Sequence, residues 1–294
     1  MIIKPGFVPA LGTPLDENGY LLKESFQKQI ERQIAAGCTG VLCMGSMGIQ
    51  AYIRQAETVK VAEAAYEVTK GRVPLFVGTM DCSIHRAEER LKAMDHIPVD
   101  AFVFTAPYYA SIKRADTMRY FKAISKMTKH NFMLYDLPSV TQSKITYDMV
   151  VELKNECANF VGIKTADTQM LRKLILLGDV PADFVKCYSG LDTFDVGVKW
   201  GIPNYLDGMI DCTPTNFEKM DKAMKAGDWE TAGTCLTNVV RLRDFFLAND
   251  LWPCFNAAMH LLGFEGNFAP DFSAETTAEQ VEKTRAEMIA IGEL

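Results

Sequence analysis

Lys164 ends an apolar run, Asn159-Phe160-Val161-Gly162-Ile163-Lys164, and a polar turn, Thr165-Ala166-Asp167, follows it. The run reads as a buried strand whose last residue faces the mouth of an apolar strand bundle. Burying a lysine disfavours its ammonium form and makes a neutral amine available near pH 7. A neutral amine attacks carbonyls and forms a Schiff base. The competing account is structural: a strand-end lysine can snorkel to water. Tyr135 closes the preceding apolar run, Asn131–Tyr135. Adjacent strands lie about 4.8 Å apart, so its phenol reaches an adduct on Lys164 and can pass protons to and from a carbinolamine. Ser46 and Tyr109 are candidate relay partners. A core aromatic with a satisfied hydroxyl is the alternative for each tyrosine.

Gly45-Ser46-Met47-Gly48 follows another apolar run. Glycines let backbone approach a ligand and present N–H groups as an anion nest, and Ser46 adds a hydroxyl donor. Neither GK[ST] nor GxGxxG accompanies the segment, so a small carboxylate fits better than a phosphate. A tight strand-to-helix turn is the plain alternative.

These residues need elements to bring them together. Short apolar runs recur at Phe7–Leu11, Gly40–Met44, Pro74–Gly78, Asp100–Thr105, Asn131–Tyr135, Phe160–Lys164, Phe184–Ser189 and Tyr205–Ile210. Most are separated by stretches of helical period. In Leu22–Ile34, for example, Leu22, Phe26, Ile30 and Ile34 fall on one helix face. Eight such runs with crossover helices predict a (β/α)8 TIM barrel, a doubly wound sheet being the other arrangement of the same pattern. After about Thr213 the alternation stops. Helical stretches near Asn216–Asn249, Pro253–Leu262 and Thr277–Ile291 predict a C-terminal helical extension. Residues 1–215 would hold the barrel strands and first seven helices. Residues 216–294 would hold the eighth helix and the appendix, in the same structural unit. In a barrel the chemistry sits at the C-terminal strand ends. There the pattern gathers the Gly45–Gly48 turn, Tyr109, Tyr135, Asp136, Lys164, Gly190, Asp192 and Asp211.

The chain has 294 residues, 48% hydrophobic and 23% charged, with a formal charge of -6. An acidic, mixed-charge surface argues against nucleic acid or anionic membrane as the main partner. No apolar run approaches the ~20 residues that span a bilayer, and the N-terminus lacks a signal-peptide pattern. Eight scattered cysteines without CxxC pairs read as free thiols in a reducing cytoplasm. Four histidines, none close in sequence, argue against a metal site or a Ser-His-Asp triad. No metal or other cofactor is expected.

The ordered set Gly12-Thr13-Pro14, Gly45-Ser46-Met47-Gly48, Pro107-Tyr108-Tyr109, Tyr135-Asp136-Leu137-Pro138, Gly162-Ile163-Lys164, Ser189-Gly190-Leu191-Asp192 and Gly208-Met209-Ile210 resembles the dihydrodipicolinate synthase / N-acetylneuraminate lyase family of class I, Schiff-base-forming pyruvate aldolases. The resemblance spans nearly the whole chain. It implies that Lys164 forms the Schiff base and that Tyr135 is the acid/base residue. Ser46 and nearby N–H groups, with Met47 in the same turn, would hold the keto acid's carboxylate. Tyr109 would complete a relay, in many members across a subunit interface. A homo-oligomer, dimer or tetramer, follows from the same resemblance.

The departures bear on substrate. Met47 and Ile49 stand where the family's turn usually has a second hydroxyl and a glutamate. Val140 stands where the synthase branch has an arginine that grips the second substrate's carboxylate, and valine cannot replace a bidentate pair. Asp136 and Asp211 occupy places commonly held by asparagine and serine, and Asp192 matches a residue that binds sugar hydroxyls in the lyase branch. Those acids are expected to repel a second carboxylate and accept hydrogen bonds from hydroxyls. The expected activity joins or cleaves a pyruvate-type 2-keto acid and a neutral aldehyde, as in a 2-keto-3-deoxy sugar acid or a sialic-acid-like substrate. The alternatives are 4-hydroxy-tetrahydrodipicolinate synthase (pyruvate with aspartate semialdehyde), a Schiff-base 2-keto-3-deoxy acid dehydratase, and a non-catalytic keto-acid-binding barrel.

Overall fold

The computed structural model describes residues 3–294, so Met1 and Ile2, which enter the N-terminal reading, lie outside the described residues. Each expected apolar run forms a strand: β1 (Gly6–Pro9), β2 (Val41–Cys43), β3 (Leu75–Gly78), β4 (Ala101–Thr105), β5 (Phe132–Tyr135), β6 (Phe160–Thr165), β7 (Val185–Tyr188) and β8 (Asn204–Asp207). The helices are α1 (Lys23–Ala35), α2 (Gln55–Thr69), α3 (Ile84–Met94), α4 (Arg114–Met127), α5 (Pro138–Thr141), α6 (Tyr147–Glu156), α7 (Thr168–Leu176), α8 (Phe194–Lys199), α9 (Met209–Cys212), α10 (Pro214–Ala226), α11 (Trp229–Ala248), α12 (Leu251–Leu261) and α13 (Ala278–Ala290). The strands are parallel and hydrogen-bonded in the order β1-β8-β7-β6-β5-β4-β3-β2. A parallel bridge between Ala10 and Leu42 joins β1 to β2 and completes the ring. This is a (β/α)8 barrel with a C-terminal helical extension. The ring rules out the doubly wound sheet, which has two free edges.

Strand side chains alternate between two faces. One face fills the barrel interior with Val8, Ala10, Leu42, Phe76, Ala101, Val103, Met133, Tyr135, Val185, Cys187 and Leu206. The other meets the helix layer through a larger apolar cluster that includes Phe7, Phe104, Phe132, Phe160, Ile163 and Tyr188.

Beyond shifts of a residue or two at element ends, three features differ from the sequence reading. The eighth run stops at Asp207, because its carboxylate accepts the Met209 N–H (2.8 Å) and turns the chain into α9. The long helical stretch from 216 is two helices. Gly227 takes φ 77° to end α10, and Asp228 caps α11 by accepting the Thr231 N–H (3.1 Å). The buried stripe of α1 contains Phe26 and Ile30 as expected but also Gln29 and Gln33, while Leu22 and Ile34 are only half-buried.

Gly78 ends β3 where the backbone crowds most. A Cβ there would lie 1.7 Å from the Met44 carbonyl oxygen. Gly233, inside α11, has nothing within 4 Å of an added Cβ. Gly78→Ala should therefore destabilise by about 3 kcal/mol or more, or fail to accumulate folded. Gly233→Ala should stabilise by roughly 0.5–1 kcal/mol through helix propensity. Urea unfolding of the two variants checks both signs, and a Gly78→Ala protein as stable as the parent would refute the close approach.

Candidate active site

Lys164 reaches the barrel interior through an irregularity in β6. Phe132 pairs with Phe160, but the next pairing is Met133 with Gly162, so Val161 is an extra residue opposite one bond of β5. Strict alternation from Phe160, which packs in the outer layer, would have sent Lys164 outward as well. The bulge reverses the face, as a single inserted residue must. Beyond it Leu134 pairs with Ile163 and Tyr135 with Lys164. Lys164 and Tyr135 then stand side by side, 5% and 7% exposed, with the Lys164 Nζ 3.8 Å from the centre of the Tyr135 ring. On the other side Lys164 pairs with Cys187 of β7. Burial pushes the Cys187 thiol up to about 12, despite the Lys164 charge nearby, so it remains a neutral thiol.

The turn after β2 is built under strain. Met44 (φ 53°) and Ile49 (φ 49°) both take the left-handed conformation, unfavourable for any residue with a Cβ and most of all for Ile49, which is branched there. Between them lies the Gly45–Gly48 segment. Gly48 has no room for a Cβ, which would meet the Leu11 carbonyl oxygen and the Met44 N at 2.8 Å. The Thr13 hydroxyl donates to the Gly48 carbonyl (2.8 Å), tying this turn to the one after β1. Ser46 is exposed, whereas Met47 is half-buried and packs where a Gly208 Cβ would be.

The acidic residues expected at the mouth are differently employed. Asp136 follows Tyr135 and faces the helix layer. Its carboxylate takes the Lys144 ammonium, the Thr165 hydroxyl (2.8 Å) and the Ile145 N–H (3.0 Å), and Lys144 bridges onward to Asp167 (3.1 Å). Asp192, in the turn that begins at Gly190, is exposed and held by both Arg243 Nη atoms of α11, at 2.6 and 2.8 Å. The guanidinium holds its carboxyl below the usual range. Asp211 is fully buried behind the mouth, against the Gly12 N–H (2.7 Å), Gln29 and Gln33. A ring of free carboxylates is thus not what the structure forms. Gly190 is half-buried, and its missing Cβ leaves room for the Tyr188 hydroxyl. Tyr109 is 91% exposed, on the turn between β4 and α4, and this chain does not bring it to Lys164. Val140 is also exposed, in α5 just past the end of β5.

Two residues escaped the sequence reading. Thr105 ends β4 opposite Tyr135, and its buried hydroxyl has no partner. Asp207 ends β8; burial raises its carboxyl above the ordinary range, while the Met209 N–H and the charges of Lys164 and Arg243 pull it down. Thr105 closes its apolar run, the signal that singled out Lys164, whereas Asp207 lies inside the run read as Tyr205–Ile210 and carries no such mark. The adjacent ends of β4, β5 and β6 therefore offer one unpartnered hydroxyl, one phenol and one amine. Among the described residues no group of three or more His, Cys, Asp or Glu could hold a metal ion. No described helix is long and apolar enough to cross a membrane.

The chain is similar to known proteins in sequence and fold. The chain is 27% identical to the 4-hydroxy-tetrahydrodipicolinate synthase of Porphyromonas gingivalis over 78% of this chain and 77% of that one. It is 28% identical to the Phenylobacterium zucineum protein of the same name over 83% and 82%. Among solved structures, Bacillus anthracis dihydrodipicolinate synthase DapA-2 superposes with a TM-score of 0.89 at 24% identity, covering 99% of both chains. The E. coli prophage protein YagE, solved with pyruvate, gives 0.88 at 20%, again over 99% of both. A profile of the dihydrodipicolinate synthetase family matches residues 4–286, and the chain belongs to that family.

Proposed function

We propose that the protein is a class I lyase that joins or cleaves a pyruvate-type 2-keto acid and an aldehyde through a Schiff base on Lys164. The observation that carries this reading is the interior pairing of Lys164 with Tyr135, made by the Val161 bulge. A structural lysine gains nothing from an inward turn in an apolar barrel. In the proposed sequence the Lys164 amine adds to the keto carbon, and the carbinolamine loses water to give the imine. Loss of a proton from the methyl carbon gives an enamine, whose carbon adds to the aldehyde. Water then releases the product and restores the amine. The Tyr135 hydroxyl carries the protons of the carbinolamine steps. The Gly45–Gly48 turn and the Ser46 hydroxyl would hold the carboxylate. Tyr109, so fully exposed, suits a contribution to the site of a second copy, which supports a homo-oligomer.

A second reading comes from the relatives, which are named 4-hydroxy-tetrahydrodipicolinate synthase. We favour a neutral aldehyde, because exposed Val140 offers no counter-charge to a second carboxylate and the nearby cations Lys144 and Arg243 are already paired. Asp207 adds an acid at the same end.

Incubation with pyruvate and borohydride should add one three-carbon adduct per chain, at Lys164. Lys164→Ala should take no label and show no turnover; label on another lysine would sink the mechanism. Tyr135→Phe keeps the packed ring and should lower kcat by ~10²–10⁴, the usual scale of general acid–base catalysis. A variant within a few-fold of the parent would make Tyr135 a core aromatic only. Assays of pyruvate with glyceraldehyde, N-acetylmannosamine and aspartate semialdehyde should favour the neutral aldehydes. Efficient condensation with aspartate semialdehyde alone would decide for the synthase reading.

A further inference from the structure

Asp211 is fully buried and forms no ion pair among the described residues. Its side chain is surrounded by uncharged groups from two elements. The Gly12 N–H of the turn after β1 donates to Oδ2 at 2.7 Å. Gln29 and Gln33 of α1 direct their amide nitrogens at it, and Gln33 also donates to its backbone carbonyl at 3.0 Å. The titratable groups closest in the chain are Cys212, beside it and a neutral buried thiol, and Asp207; Glu293, which caps α10, also acts on Cys212. The carbonyl oxygens of Gln29 and Gln33 are buried and have no partner. In this arrangement the amide nitrogens face the carboxylate; flipping either amide turns its orphan oxygen to Asp211 and gives a protonated carboxyl an acceptor. Burial correspondingly raises the carboxyl to about 7, against the pull of the Gly12, Gln29 and Gln33 donors.

The Gly12 turn has a second tie. Thr13, the next residue, donates to Gly48, so the carboxyl is two hydrogen bonds away from the strained Gly45–Gly48 turn. We propose that Asp211 is a positioning residue with an exchangeable proton: ionised, it grips the Gly12 turn and thereby fixes the Gly45–Gly48 turn for the keto acid's carboxylate; protonated, it releases both. Hydrogen bonds to an ionised acceptor are roughly twice as strong as neutral ones, which sets the direction. The inference rests on the carboxylate role proposed for that turn.

Asp211→Asn tests it, because asparagine keeps an acceptor for Gly12 and can donate to a glutamine oxygen. The fraction of chain trapped by borohydride at graded pyruvate, read by intact mass from pH 6 to 8.5, gives the affinity. In the parent it should tighten several-fold as pH rises through about 7; in Asp211→Asn it should be flat, with the effect in KM rather than kcat. Hydrogen exchange of the ligand-free chain, corrected for intrinsic rates, should show segments 10–16 and 43–50 gaining protection with pH in the parent alone. The folded state keeps a proton that the unfolded chain releases near 3.8, so parent stability falls with rising pH across that window. The melting-temperature advantage of Asp211→Asn should accordingly grow from pH 5 to 8. Identical pH profiles of affinity and exchange in both proteins overturn the inference. If the parent traps no pyruvate, the proposed function fails, and exchange and melting decide the latch by themselves.

Discussion

The site depends on one extra residue in β6. A parallel strand with regular alternation presents residues 160, 162 and 164 to the same side, and Phe160 faces the helices. Val161 breaks the count, and from Gly162 onward the strand shows the barrel what it would have shown the helix layer. Gly162 absorbs the consequence, because a Cβ there would meet the Val185 Cβ at 2.6 Å. The pairing of Lys164 with Tyr135 is then enforced by backbone hydrogen bonds. The Asp136 N–H donates to the Lys164 carbonyl (2.9 Å), and the Asp136 carboxylate takes the Thr165 hydroxyl on the outer face. Each inward residue is thus flanked by an outward neighbour that locks the same two strands. The charge of Asp136 serves this clamp, with Lys144 neutralising it.

The same logic governs the rim. Strained backbone at Met44 and Ile49 persists only where surroundings over-determine it. Here Gly48 is wedged against Leu11 and tied to Thr13, and the turn of Thr13 is tied to Asp211. Across the mouth, α11 of the C-terminal extension reaches the turn after β7 through Arg243 and Asp192. The extension thereby takes part in holding the rim. Asp136 and Asp192 are paired and Asp211 lies behind the mouth, while Asp207 ends β8 within reach of the Lys164 charge.

Much of this was legible in the chain. Eight apolar runs gave eight strands, because a parallel strand covered on both faces is apolar along its length. Lys164 and Tyr135 stood out because each closes such a run with a group that does chemistry. What stayed hidden depends on register and on pairing between distant segments. No pattern in Phe160–Thr165 marks Val161 as extra, so the inward aim of Lys164 was expected for its burial and not for its geometry. Asp136 read as a mouth residue because it follows Tyr135, yet one step along a strand reverses the face. Asp211 could not be separated from exposed acids, since Gln29 and Gln33, which receive it, lie about 180 positions away. Thr105 closes its run as Lys164 does, but a threonine suits a strand in any case and so carries no signal of its own.

Two potential nucleophiles share this layer, Lys164 and its strand partner Cys187. The surroundings disarm the thiol. Burial favours the neutral form of either kind of group. For a thiol the neutral form is the unreactive one, and the Cys187 thiol is held at about 12. For an amine the neutral form is the nucleophile. The interior around both is apolar, lined by Val185, Met133 and Leu206, and the neutral thiol is thereby excluded as the nucleophile. The carboxyl that feels the Lys164 charge is Asp207 at the end of β8, while Asp136 and Asp167 are occupied by Lys144 on the far face of the sheet. The separation of charge to the outside and amine to the inside is a direct consequence of where the bulge falls.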